Sequence, residues 1–125
     1  MKIKGIRLLI CGDRNWTDKY LIKCCVLDLL TSGKKIDVII EGEARGADIL
    51  AREVAEELDI LVEPYIADWK KFGKPAGMVR NQDMLSRGRP DLVYAFHDNI
   101  EESKGTKNMV MIATKAGVKV NHFHH

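Results

Sequence analysis

Four short stretches of this chain set glycines beside cations and amides: Gly12-Asp13-Arg14-Asn15-Trp16, Glu41-Gly42-Glu43-Ala44-Arg45-Gly46-Ala47-Asp48, Gly77-Met78-Val79-Arg80-Asn81 and Lys104-Gly105-Thr106. Glycine lets backbone approach a ligand closely, and arginine offers a planar fork of donors to phosphate or carboxylate. A glycine-containing turn that opens into a helix adds backbone N–H groups at the positive helix end. The chemistry these residues share is the holding of an anion, phosphate above all. The second stretch carries most of the signal. It follows the run of β-branched residues 36–40 and leads directly into the amphipathic pattern ILAREVAEEL at 49–58.

Each candidate has a sharper and a plainer role. Gly12 with Arg14 reads as ligand contact at the exit of a strand, whereas Trp16 reads first as a plug against the following helix and second as a stacking surface. Gly42, Arg45 and Gly46 read as the wall of a phosphate cradle. Asp48 reads as a helix cap, with acceptance of a ribose hydroxyl as the alternative. Glu41 is a general acid or base, or the partner of an arginine. Arg80 is expected in the first turn of a helix, where a cation opposes the dipole, so it calls for Glu41 or a bound phosphate beside it. Pairing with Asp83 is the plain alternative. Asn81 can both donate to and accept from a base or sugar edge. Gly105 and Thr106 would present a backbone N–H and a hydroxyl next to Lys104. No catalytic residue is assigned, and Glu41 and Asp48 are the candidates.

The elements that must position these residues alternate along the chain. Strands are expected over 6–11, 36–40, 60–66, 92–96 and 118–120, the third weakened by Pro64, which suits an edge or a strand end. Helices are expected after Thr17 as N-cap as far as Gly33, over 49–58, from about 77 to 87 ending before Gly88, and over 106–116. Residues 67–76 and 97–104 read as loops, the first holding Trp69 and Phe72. Alternating strands and helices imply an α/β single-domain Rossmann-like three-layer sandwich with a mostly parallel sheet of about five strands. In such a sheet the C-terminal strand ends share one edge, where the four stretches converge.

Composition narrows the function classes. The 125 residues, 46% hydrophobic and 30% charged, fit one domain, taken as 1–121 with a flexible tail over 122–125. Twenty basic residues face eighteen acidic ones, and the resulting +2 is spread along the chain, which does not suggest nucleic acid as a partner. Three cysteines, two of them adjacent, point to a reducing cytoplasm, and no run is long enough to span a membrane. His122, His124 and His125 lack spaced carboxylate or thiol partners, so no metal site is read there. No GxxxxGK[ST] and no GxGxxG after the first strand occur, which sets aside P-loop hydrolysis and standard NAD chemistry, and no cofactor is required. Ser32, Ser86 and Ser103 lack a nucleophile elbow, and Cys11 sits in an expected core strand.

Together these stretches, with Asp68-Trp69 through Gly73 and Ala76-Gly77, resemble the YspA-type (cpYpsA-related) branch of the SLOG superfamily, which is distantly similar to the Lonely guy and DprA Rossmann-like proteins. The resemblance runs from the first strand to Val120. It implies a nucleotide or nucleotide-derived ligand at the sheet edge, lined by Gly12, Arg14, Gly42, Arg45, Gly46, Asp48, Arg80, Asn81, Gly105 and Thr106, and it implies a homo-oligomer. One departure bears on activity. Where the Lonely guy pattern PGGxGTxxE has its glutamate this chain has Met109, and Ser103 replaces the second glycine. A sensing or binding module is therefore the primary expectation, and a phosphoribohydrolase-like or nucleosidase hydrolase the alternative.

Overall fold

The computed structural model describes residues 4–125. Its strands are β1 (Ile6–Gly12), β2 (Ile36–Glu41), β3 (Leu61–Pro64), β4 (Leu92–Phe96) and β5 (Lys119–Phe123), all parallel in the order β3-β2-β1-β4-β5. Parallel neighbours need crossovers, which are made by α1 (Lys19–Thr31), α2 (Ala47–Glu57), α4 (Ala76–Ser86) and α5 (Gly105–Lys115). The expected Rossmann-like sandwich is what the chain forms.

Alternation along the central strands sorts their side chains onto two faces. Leu8, Ile10, Ile39, Tyr94 and Phe96 bury against Ile22 and Val26 of α1 and Ala51, Val54 and Ala55 of α2. Leu9, Cys11, Val38, Ile40, Val93 and Ala95 bury against Met84 of α4 and Met109 and Ala113 of α5. Leu8, Leu9, Ile10, Ile39 and Ile40 are wholly buried; each contributes about 1.5–3 kcal/mol in transfer free energy. Arg7, the one charge inside β1, reaches the edge strand, where its Nη2 donates to both Glu63 carboxylate oxygens at 2.9 Å and its Nε to the Gly88 carbonyl at 2.7 Å.

Local details depart from the sequence-based expectation. The N-cap of α1 is Asp18, not Thr17, because the Asp18 carboxylate accepts from the Leu21 N–H at 3.0 Å. Within 67–76, expected as loop, a one-turn helix α3 (Trp69–Phe72) forms under a second aspartate cap, Asp68, which accepts from Lys71 N–H. A 3-10 turn occupies Ile100–Glu102. Pro64 is both at an edge and at a strand end, closing β3 opposite Glu41. The last strand is longer than expected and takes in His122 and Phe123, in place of the flexible tail expected there. His125 stacks on Trp16 with centroids 4.5 Å apart and bonds to Asp98 and Asp18. Trp16 itself is buried, in its plainer role.

From β1 the chain winds outward through β2 and β3, then crosses back to place β4 on the other side of β1. The connections leaving β1 and β4 therefore part in opposite directions, and a crevice opens at their C-terminal ends.

Candidate ligand cleft

That crevice encloses about 960 Å³ on the side of the sheet covered by α4 and α5. Cys11, Met84 and Met109 rise into it from the core beneath, and turns from four parts of the chain form its walls. Burial pushes the Cys11 thiol far above its ordinary range, so it supplies surface and no nucleophile. Of the residues singled out in sequence, Gly12, Arg14, Arg45, Asp48, Arg80, Asn81, Gly105 and Thr106 line the cleft. Glu41, Gly42 and Gly46 do not.

Strand parity explains Glu41. Ile40 faces α4 and α5, so Glu41 follows Ile39 to the opposite face. It is wholly buried, its Oε1 accepts from the Glu43 N–H at 2.7 Å, and among the described residues it pairs with no arginine. Burial, aided by a side-chain hydrogen bond to Glu43, raises its pKa to about 9, so it keeps its proton at neutral pH. Glu43 is in turn paired with Arg52.

The turn at 41–48 braces the fold instead of opening as an amide cradle. Gly46 has φ +82°, and a Cβ there would lie 2.3 Å from the Asp13 carbonyl oxygen; only glycine fits. Its neighbours hold the first turn: Ala47 N–H donates to Asp13 O at 3.0 Å and Arg45 Nε to Arg14 O at 3.2 Å. Asp48 is the second residue of α2 and does not cap it. Its buried carboxylate accepts from the Ala44 N–H at 3.3 Å, and burial lifts its pKa to about 6 against the opposing pull of Arg80.

Arg80 is the fifth residue of α4, one residue deeper than expected and so at the start of its second turn, and it does not pair with Asp83. Only 9% exposed, it donates from Nη1 to the Gly42 carbonyl at 2.7 Å and from Nε to Asn81 Oδ1 at 2.9 Å. No carboxylate forms an ion pair with it, and its Nη2 has no partner, among the described residues. Gly42 matters from behind. A Cβ on it would fall 2.8 Å from Arg80 Nη1 and 2.9 Å from Asp48 Oδ2, so the missing side chain is the space those two groups share.

Asn81 has no free edge for a base or sugar. Its Nδ2 donates to Gly105 O at 3.1 Å and Asn108 Oδ1 at 3.0 Å, which ties α4 to the start of α5. At that start the Thr106 N–H is taken by the Ser103 hydroxyl at 2.9 Å. The amides of Gly77 and Gly105, in the first turns of α4 and α5, find no acceptor among the described residues, and both residues line the cleft. Two positive helix ends thus flank the Arg80 guanidinium.

Trp69 and His97 are among the lining residues to which sequence reasoning gave no role. Trp69 stands at the rim, 48% exposed, with the Arg14 guanidinium 5.6 Å from its ring centroid. His97 follows β4, and its signal was parity: Val93 and Ala95 face the cleft side, so His97 does as well. No three His, Cys, Asp or Glu side chains gather into a metal-holding group among the described residues. No described helix is long and apolar enough to cross a membrane.

Residues 6–72 match the family described as YspA, cpYpsA-related SLOG. The chain belongs to that family. It is also similar to the gene 61 protein of Mycobacterium phage D29, 35% identical over 122 residues that cover 94% of this chain and 95% of that protein. Membership places this SLOG chain among proteins concerned, at a coarse level, with nucleotide-related ligands. The family match includes the first two turns and Trp69; Arg80 and Gly105 fall outside it and inside the span shared with the phage protein's length.

Proposed function

We propose that this SLOG chain binds a nucleotide or nucleotide-derived small molecule in the cleft and does not turn it over, acting as a sensing or binding module. The observation that carries the reading is Arg80, a buried guanidinium that the nearby Asp48 carboxylate attracts without closing an ion pair, and whose unpartnered Nη2 lies by the start of α4, with the start of α5 tied alongside through Asn81. An unpaired buried charge costs several kcal/mol, which a bound phosphate would offset. The cleft exceeds the needs of a lone phosphate, and Trp69 at its rim offers a face for a base. Isothermal titration with ADP, ADP-ribose and dinucleotides tests the reading: micromolar to millimolar binding that Arg80→Met weakens is expected. Absence of heat with all three at millimolar concentration would overturn it.

A second reading, hydrolysis of a nucleotide, rests on Asp48, a cleft carboxylate with raised pKa near Arg80. Met109 is buried in the cleft floor where a proton-moving carboxylate is wanted, and Glu41 points away. Release of base or phosphate from ADP-ribose that vanished in Asp48→Asn would favour this second reading. The proposal extends to a homo-oligomer, supported by Met78 and Met111, 55% and 59% exposed where α4 and α5 border the cleft, and read by light scattering. It extends also to a reducing cytoplasm, supported by three free cysteines.

A further inference from the structure

Cys11 of β1 pairs in register with Ala95 of β4. Two residues further on, strand alternation brings Asp13 and His97 side by side on the cleft face, and Asp13 N–H bonds to Phe96 O at 2.9 Å to hold the two chain exits together. Both side chains are oriented by backbone amides. His97 Nδ1 accepts from the Asn99 N–H at 2.9 Å, and Asp13 Oδ1 accepts from the Asn15 N–H at 2.9 Å. With Nδ1 occupied as an acceptor, the neutral ring carries its hydrogen on Nε2. Nε2 lies 3.9 Å from Asp13 Oδ2, too far for a hydrogen bond between them.

A fixed donor and a fixed acceptor therefore stand next to one another, unjoined, in the wall of the cleft. Neither can serve a substrate as a base through His97, because its only basic nitrogen is already engaged. What fits is a group that accepts at one end and donates at the other. A single hydroxyl placed about 2.8 Å from both atoms would subtend roughly 90°, acute for one oxygen. Two vicinal hydroxyls, one accepting from Nε2–H and the other donating to Oδ2, satisfy both without that distortion.

We infer that His97 and Asp13 read the cis-diol of a ribose, so that the cleft selects ribonucleotides over deoxyribonucleotides. The inference rests on the nucleotide-binding reading and adds the sugar to it. The site lies at the crevice between β1 and β4, apart from Asp48 and Asn81, the residues that sequence alone nominated for a sugar.

The test compares ADP with 2′-deoxy-ADP and 3′-deoxy-ADP by isothermal titration, in wild type, His97→Ala and Asp13→Asn. In wild type, loss of either hydroxyl is expected to weaken binding roughly tenfold. His97→Ala and Asp13→Asn are each expected to weaken ADP by a similar factor and to bring level with it only the deoxy analogue that lacks the hydroxyl whose partner was removed, a different analogue in each variant. Circular dichroism and thermal melting accompany each variant. If a variant fails to fold, His97→Gln, which retains a donor, is titrated in its place and is expected to keep part of the discrimination. Equal affinity of wild type for all three ligands overturns the sugar inference and leaves nucleotide binding standing. No binding of any of the three, or of ADP-ribose, overturns both.

Discussion

Arg80 donates from Nη1 to the carbonyl of Gly42 across 2.7 Å, which fixes a buried guanidinium to the backbone of the turn after β2. The bond sets position without neutralising charge. Asp48 attracts it without closing an ion pair, so Nη2 stays available to a ligand.

Arg80→Met should therefore separate binding from folding. The variant loses two hydrogen bonds and the attraction to Asp48, which takes up a proton in response, and it also loses the desolvation cost of the cation, terms of opposite sign. Its melting temperature is expected within a few degrees of wild type. Nucleotide affinity should fall at least about tenfold, and the upward melting shift expected of wild type in millimolar phosphate should be absent from the variant. A retained phosphate shift would remove Arg80 from the anion seat.

Gly46→Ala should damage the fold more than the ligand site. The new methyl would need φ near +82° and a position 2.3 Å from Asp13 O. A loss of at least about 2 kcal/mol in urea unfolding is expected. Stability equal to wild type would show that the brace between the first two turns yields easily.

The buried carboxyls make stability depend on pH with a definite sign. Glu41 holds its proton to about pH 9 when folded, against an ordinary 4.5, and Asp48 to about 6, against 3.8. Both pKa values are raised in the folded chain, so their contribution is complete below the unfolded values. It is lost as pH climbs, through about 6 for Asp48 and through about 9 for Glu41, at about 1.4 kcal/mol for each tenfold difference in proton affinity between the folded and unfolded chain. Unfolding free energy should fall between about pH 5 and pH 9. Glu41→Gln, which can still donate to Glu43, should flatten the upper part of that decline and leave nucleotide titrations unchanged. An unaltered slope in the variant would assign the decline to other groups.

Trp69→Ala should discriminate among parts of the ligand. The side chain is 48% exposed, so its removal should leave the melting temperature nearly unaltered. ADP binding should weaken several-fold while the phosphate-induced melting shift persists, because stacking acts on the base alone. Quenching of Trp69 fluorescence by ADP, measured against Trp69→Ala, gives an independent check. Equal ADP affinity in the variant would place the base elsewhere.

The strands were legible because Leu8 to Ile10, Val38 to Ile40 and Val93 to Phe96 are continuous apolar runs, which in this alternation of elements means a parallel sheet covered on both faces. The convergence of four turns followed from that topology. Which residues in a turn face inward did not follow. Glu41 and His97 each lie at the end of a strand, and parity sends one behind the sheet and the other into the cleft. Parity can be read only once the strand ends and the identity of each face are known. Asn81 looked like a ligand contact for a similar reason: its capacity to donate and accept was plain, and the partners in α5 that exhaust it were remote in sequence. The helix at Trp69 was hidden by its length, since one capped turn leaves no periodic trace.

The amide of Asn81, bonded across to Gly105 and Asn108, joins the start of α5 to the flank of α4 before any ligand arrives. The anion seat proposed between those helices would thereby be preorganised, its conformational entropy surrendered during folding and not during association. Binding then needs little rearrangement, so encounter and orientation, not a conformational step, should set how fast a ligand is captured.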